Sequence, residues 1–201
     1  MRRLVQRAKK RKKTEVLENV KKRQKRQKRL KRHAVYGQTF RGAVSVLVVV
    51  AAISVLVATL WMPVLQIYGS SMAPTLEAGQ IVVSVKKHQW KTGEIVAFWH
   101  GNKLLIKRVI AGPGQWVDIN EDGAVTVDGQ VLSEPYITEL SSGNCDIELP
   151  HQVPESHWFL MGDNRETSVD SRSTLIGDIS SEQIEGQIIF RIWPLQKAGI
   201  I

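Results

Sequence analysis

The chain has 201 residues, room for one domain of ordinary size plus appendages, and its 15 Gly and 7 Pro argue against a fibrous or low-complexity protein. Its net charge of +9 is unevenly placed: residues 1–32 hold 17 of the 28 Lys and Arg against only Glu15 and Glu18, so that segment is +15 and the remainder −6. A folded part that is mildly acidic excludes a domain that binds nucleic acid through a basic face.

Residues 1–33 alternate basic clusters with a few apolar residues such as Leu4, Val16 and Leu30. Three readings stay open for them: a nucleic-acid arm, a polybasic segment held at anionic lipid headgroups, and a solvated tail without a partner. From residue 42 to 67 no residue is charged, and residues 43–60 are almost wholly apolar. A bilayer core about 30 Å thick needs ~20 helical residues, so the sequence predicts a transmembrane helix over 42–66. Arg41 and the basic tail stand at one end of it, Trp61 and Tyr68 at the other. The positive-inside rule then puts residues 1–41 in the cytoplasm and a domain of residues 67–201 outside it. The apolar run exceeds the roughly 7 to 15 residues of a cleaved signal's h-region, which predicts an uncleaved single-pass anchor.

Directly after the anchor comes Gly69-Ser70-Ser71-Met72-Ala73-Pro74-Thr75. Gly, Ser and Pro in such proximity are common turn punctuation. Ser71 is equally a candidate nucleophile, which requires a base elsewhere in the chain because a serine hydroxyl is weak at its free pKa.

Beyond it, short runs rich in Val, Ile, Phe and Trp are separated by Gly, Pro, Asn and Asp. They predict strands over 80–85, 94–99, 104–110, 116–119, 124–127, 130–132, 157–161 and 187–193. Asp128-Gly129 between two of them is a hairpin signal, and beyond residue 75 the sequence offers no sustained helical period apart from a turn at Ser180 to Ile184. The strand over 104–110 carries Lys107 between Leu105 and Val109 on one face, with Arg108 on the other. A lysine can serve as a base only if burial lowers its pKa; the competing reading is a snorkelling side chain with its amine in water. Ser-Lys pairing is an established variant of serine-plus-base catalysis.

Residues 133–156 read as a long loop. It contains Cys145, which as the chain's single cysteine excludes an internal disulfide or a Cys-based metal site, and which lacks a cysteine-protease signature around it. The segment from Gly162 to Arg172 is dense in charge, and Asp163, Arg165, Asp170 and Arg172 are balanced so that Arg-carboxylate pairs can interlock, with Ser168 offering a hydroxyl to orient an amine.

Taken together, Ser71-Met72-Ala73-Pro74-Thr75, Lys107-Arg108-Val109 and Gly162-Asp163-Asn164-Arg165 with Ser168 to Arg172 resemble the boxes of bacterial type I signal peptidases, membrane-anchored serine proteases that remove signal peptides from exported preproteins. The resemblance implies a mainly β, signal-peptidase-like catalytic domain behind one N-terminal transmembrane helix. It also implies Ser71 as nucleophile, Lys107 as general base, Ser168 as the residue that orients the lysine, and Asp163, Arg165, Asp170, Arg172 and Arg108 as structural support. Met72 is implied as a substrate contact. Two residues before the nucleophile stands Gly69, as in Gram-positive relatives, where Gram-negative members carry a serine; the oxyanion then rests on the Ser71 N–H and a backbone group at Gly69. Also implied are cleavage after A-x-A-like sites, preproteins and anionic lipid headgroups as partners, no nucleic acid, and no metal or cofactor. Two rivals follow from the same boxes: a self-cleaving repressor, which would be soluble and carry a DNA-binding domain, and a membrane-anchored chaperone that keeps the fold without the activity.

Overall fold

The computed structural model describes residues 42–56 and 62–201. The basic tail and Trp61 lie outside the described residues. Residues 42–56 form a helix, α1, with its residues exposed on every face. Its two hydroxyls are satisfied within the helix, Ser45 Oγ donating to the Gly42 carbonyl and Ser54 Oγ to the Val50 carbonyl, each at 2.8 Å. Among the described residues no helix is long and apolar enough to cross a membrane.

Residues 62–201 belong to a second, compact unit whose regular elements are strands apart from one short 3-10 turn at Leu195–Lys197. The helix predicted over 42–66 does not reach residue 66, because Val64–Gln66 is a strand, β1, paired antiparallel with Ile81–Val85, β2. Pro63 explains the change: the residue before a proline is pushed out of helical backbone, and Leu65 then packs against the core that holds the serine turn. The boundary of the β unit therefore lies before residue 64 instead of at 67.

The larger sheet continues with β3 (Ile95–His100), β4 (Lys103–Ala111), β9 (His157–Met161), β10 (Ile179–Ser180), β11 (Ile184–Trp193) and β12 (Gly199–Ile200). Its order is β1-β2-β11-β3-β4-β9-β10, with β12 on β11. A second sheet has the order β7-β6-β5-β8, from Gln130–Val131, Val125–Val127, Trp116–Ile119 and His151–Gln152. Asp128 and Gly129 join β6 to β7 with φ of 50° and 76°, the two positive values that a type I′ hairpin requires. The turn expected at Ser180 to Ile184 is present: β10 ends at Ser180, Gln183 N donates back to the Ser180 carbonyl at 3.0 Å, and β11 begins at Ile184.

Three apolar clusters position the chemistry. Ile67, Met72, Leu76, Val82, Ile95, Ala97 and Ile188 seat the serine turn on the large sheet. Trp90, Val96, Phe98, Val109, Leu160, Ile179 and Ile184 bury the middle of β3, β4 and β9. Ile110, Ala111, Phe159 and Met161 at the far end of β4 and β9 pack on Val117, Ile119, Val125 and Val153 of the second sheet and its neighbours. β4 is thus buried at its centre, which is where Lys107 stands.

Candidate active site

The serine turn runs from Gly69 to Leu76. Gly69 has φ +82°, backbone that an L side chain rarely adopts. Inside the turn Ala73 N donates to Ser70 O at 3.0 Å and Leu76 N to Met72 O at 2.8 Å. The Ser71 N–H donates to no group among the described residues, which leaves it available to a developing oxyanion. Met72 is 3% exposed and packs in the core under the turn.

Lys107 is 4% exposed. Val96 lies directly opposite it on β3, with Leu105 and Val109 two residues away along its own strand. Burial in this apolar setting lowers its pKa to about 8, against the pull of the Asp170 and Asp163 carboxylates, which favour the charged form. The snorkelling reading is therefore excluded: the amine is not placed in open water. Among the described residues neither Ser71 Oγ nor Lys107 Nζ makes a hydrogen bond, and the Ser168 hydroxyl is buried without a partner.

The charged box closes on the serine turn and, through Arg108, on the strand that carries Lys107. Asn164 N donates to the Ser71 carbonyl at 3.1 Å and Ser168 N to the Asn164 carbonyl at 3.0 Å, so Ser71 and Ser168 are tied through one asparagine. The Asp170 carboxylate accepts from Gly162 N at 2.9 Å and from Arg172 through Nε and Nη2 at 2.8 and 2.9 Å. Arg172 also donates to the carbonyls of Ser142 and Arg165, at 2.8 and 2.9 Å. Arg108 makes a two-point pair with Asp163 at 2.8 and 2.6 Å, donates to Gly93 O at 2.7 Å and reaches Thr75 Oγ1 at 3.4 Å. One guanidinium thus joins the lysine's strand, the box and the serine turn.

Arg165 does not pair within the box. It donates through Nε to Gly162 O at 3.1 Å and makes a two-point pair with Glu134, from the long loop. Tyr136 donates to the same Glu134 at 2.7 Å, while its ring covers the Arg108 guanidinium at 3.8 Å. Burial first and then Glu134 push the Tyr136 phenol up, so it stays a donor. Glu134 and Tyr136 were absent from the residues that the sequence marks, since they stand in a stretch without periodicity; the signal was the unmatched positive charge of Arg108 beside the two Asp/Arg pairs of the box.

The model of the family described as signal peptidase, peptidase S26, matches residues 40–193. A probable signal peptidase I-1 of Synechocystis sp. is 40% identical over 145 residues, covering 64% of this chain and 70% of its own. A signal peptidase IB of Staphylococcus aureus (strain COL) is 35% identical over 152 residues, covering 65% and 78%. A crystal structure of a signal peptidase I from Enterococcus faecalis V583 is similar with TM-score 0.41 and 26% identity, over 49% of this chain and 96% of that one.

Proposed function

The chain belongs to the signal peptidase family, peptidase S26, and on that premise we propose that Ser71 and Lys107 form the catalytic pair of a serine endopeptidase that cuts preproteins after A-x-A-like sites. That the enzyme is a serine peptidase of the signal peptidase type follows from the family. The particular residues are our reading, and the observation that carries it is Lys107: a lysine buried at the centre of a strand, with its pKa lowered to about 8, is a base at near-neutral pH.

In this mechanism the neutral Lys107 amine takes the Ser71 proton as Oγ attacks the carbonyl before the cut. The negative charge that develops on the carbonyl oxygen meets the free N–H of Ser71. Collapse breaks the peptide bond, and the Lys107 ammonium returns its proton to the departing amine. The acyl-enzyme ester is then hydrolysed by a water that gives its proton to Lys107. Such hydrogen bonds commonly tighten only when substrate is bound, which fits a resting site where both side chains are unpartnered. Ser168 and the Asp170–Arg172 pair hold the lysine's surroundings fixed.

We further read the charge-free run ahead of Pro63 as a single-pass membrane anchor, with the basic tail cytoplasmic against anionic headgroups and the β unit extracytoplasmic. The exposure of apolar residues all round α1, Leu47 at 68% and Val55 at 63%, supports this, since such a helix is stable where lipid covers it.

Cleavage of a synthetic preprotein segment with an A-x-A site by the detergent-solubilised chain, beside Ser71→Ala and Lys107→Ala, tests the reading, with mass spectrometry locating the cut. Cleavage after the second alanine that both substitutions abolish is expected. Cleavage by either variant at the wild-type rate overturns the assignment.

A further inference from the structure

A cavity of about 460 Å³ opens beside the serine turn, lined among others by Ala73, Pro74, Glu139, Ser141, Asn164 and Glu166. That volume lies within the range of roughly 300 to 1,000 Å³ usual for ligand pockets. It adjoins the proposed nucleophile, because Asn164, one of its lining residues, donates its N–H to the Ser71 carbonyl at 3.1 Å.

The cavity is held open by buried groups. Arg172 Nη1 donates to the carbonyls of Ser141 and Ser142 at 3.3 and 2.8 Å, and the Glu134–Arg165 pair fastens the chain just before the lining residues 138–141. Gly123 presses on the same wall: a β-carbon there would stand 2.4 Å from the Ser141 backbone. The pocket is therefore preformed, and a substrate group enters it without ordering a loop first.

Four charged residues line it, and two are spent. Asp163 is bound by Arg108 and Arg165 by Glu134. Glu139 and Glu166 are exposed and make no hydrogen bond or ion pair among the described residues. The remaining polar groups, from Thr138, Ser141, Asn164 and Thr167, carry no charge. An anionic group entering here meets two free carboxylates, an apolar one finds only Ala73, Pro74 and Leu140 among polar neighbours, and a cation meets two partners.

We propose that this cavity is a subsite for a cationic side chain, lysine or arginine, of the preprotein close to the bond that is cut, held by the Glu139 and Glu166 carboxylates. The inference rests on Ser71 as nucleophile. An extended chain advances ~3.3 to 3.6 Å per residue, so the side chain belongs to one of the few residues flanking the cut.

The test is a set of A-x-A peptides in which one flanking position at a time, from four before to four after the cut, is Ala, Lys or Glu, offered to the wild-type chain and to Glu139→Gln/Glu166→Gln. At one position Lys should raise kcat/KM over Ala by about fivefold, the size that two partly exposed ion pairs give, and Glu should lower it. The Lys-to-Ala ratio should fall to about one in the double variant and shrink in the wild type at high salt. An active wild-type enzyme indifferent to charge at every position, or a preference that survives in the double variant, overturns the subsite. If no peptide is cut at all, it is the nucleophile assignment that fails. Binding of labelled peptides to Ser71→Ala then decides the subsite separately: tighter binding of a Lys peptide, lost on adding the two Gln substitutions, supports it, and equal binding of Lys, Ala and Glu peptides overturns it.

Discussion

Gly162 and Ser168 meet so closely that position 162 admits no side chain: a β-carbon there would stand 2.3 Å from the Ser168 hydroxyl oxygen and 2.4 Å from the Ser71 carbonyl oxygen. Both contacts are far inside van der Waals range, and neither partner is the free end of a long side chain. Gly162→Ala should therefore force the serine turn and Ser168 apart. Overpacking of this kind costs about 1 to 3 kcal/mol, and a displacement near 1 Å can cost ~10²-fold in rate. Peptide cleavage and thermal unfolding on one sample check this; an alanine variant with unchanged kcat/KM would show that the contact has no bearing on the chemistry.

With Lys107 as the proposed base, its ionisation sets the expected pH dependence. Activity that needs its neutral amine should rise with pH through about 8 and level off above. A rising limb centred below pH 6 would point to another base. Stability runs in the same direction. The amine ionises near 8 in the folded chain and near 10.5 otherwise, so the unfolded state binds the extra proton between those values and stability climbs with pH across that window. Below pH 8 both states are protonated and the cost of burying the charge is present in full, about 3 kcal/mol by the usual conversion. Lys107→Met should be inactive yet more stable than wild type at pH 7, with the gap closing towards pH 10.5. Denaturation at both pH values measures it.

The buried Glu134–Arg165 pair is exposed at only 4% and 1% of its side chains. Removing one partner strands a charge, a loss of roughly 3 to 5 kcal/mol, whereas replacing both by apolar residues is often neutral. Glu134→Ala should thus destabilise the chain severely, and Glu134→Leu with Arg165→Met should recover most of the loss. A single variant as stable as wild type would mean that Arg165 finds another partner.

The strands were legible because their alternation and turn chemistry are local: residues 116–119 and 157–161 fall where the sequence puts them, and Asp128-Gly129 makes the expected hairpin. Lys107 was legible as a charge inside an apolar run, though only the fold shows it desolvated. What escaped is long-range. Val64–Gln66 reads as the tail of an apolar span until pairing with β2 claims it. β8, β10 and β12, of two residues each, exist only through their partners. Glu134 reaches Arg165 across 31 positions, a choice that no periodicity encodes.

Ser168 separates stability from activity. Its hydroxyl is buried, at 1% residue exposure, and has no hydrogen-bond partner among the described residues. A buried polar group left unpaired costs about 1 to 3 kcal/mol, and the Gly162 backbone closes over it on one side. A serine kept there at a cost to folding fits a role that appears only with substrate bound, in the proposed step where the Lys107 amine gains and returns a proton. Ser168→Ala should leave the fold intact and raise the unfolding midpoint, while kcat falls and KM stays close to wild type, because the group acts on the base and not on the peptide. Ser168→Thr, which restores a hydroxyl, should recover part of kcat if the added methyl fits. The decisive comparison is kcat against melting temperature for the alanine variant: a loss of both together would assign Ser168 to structure alone.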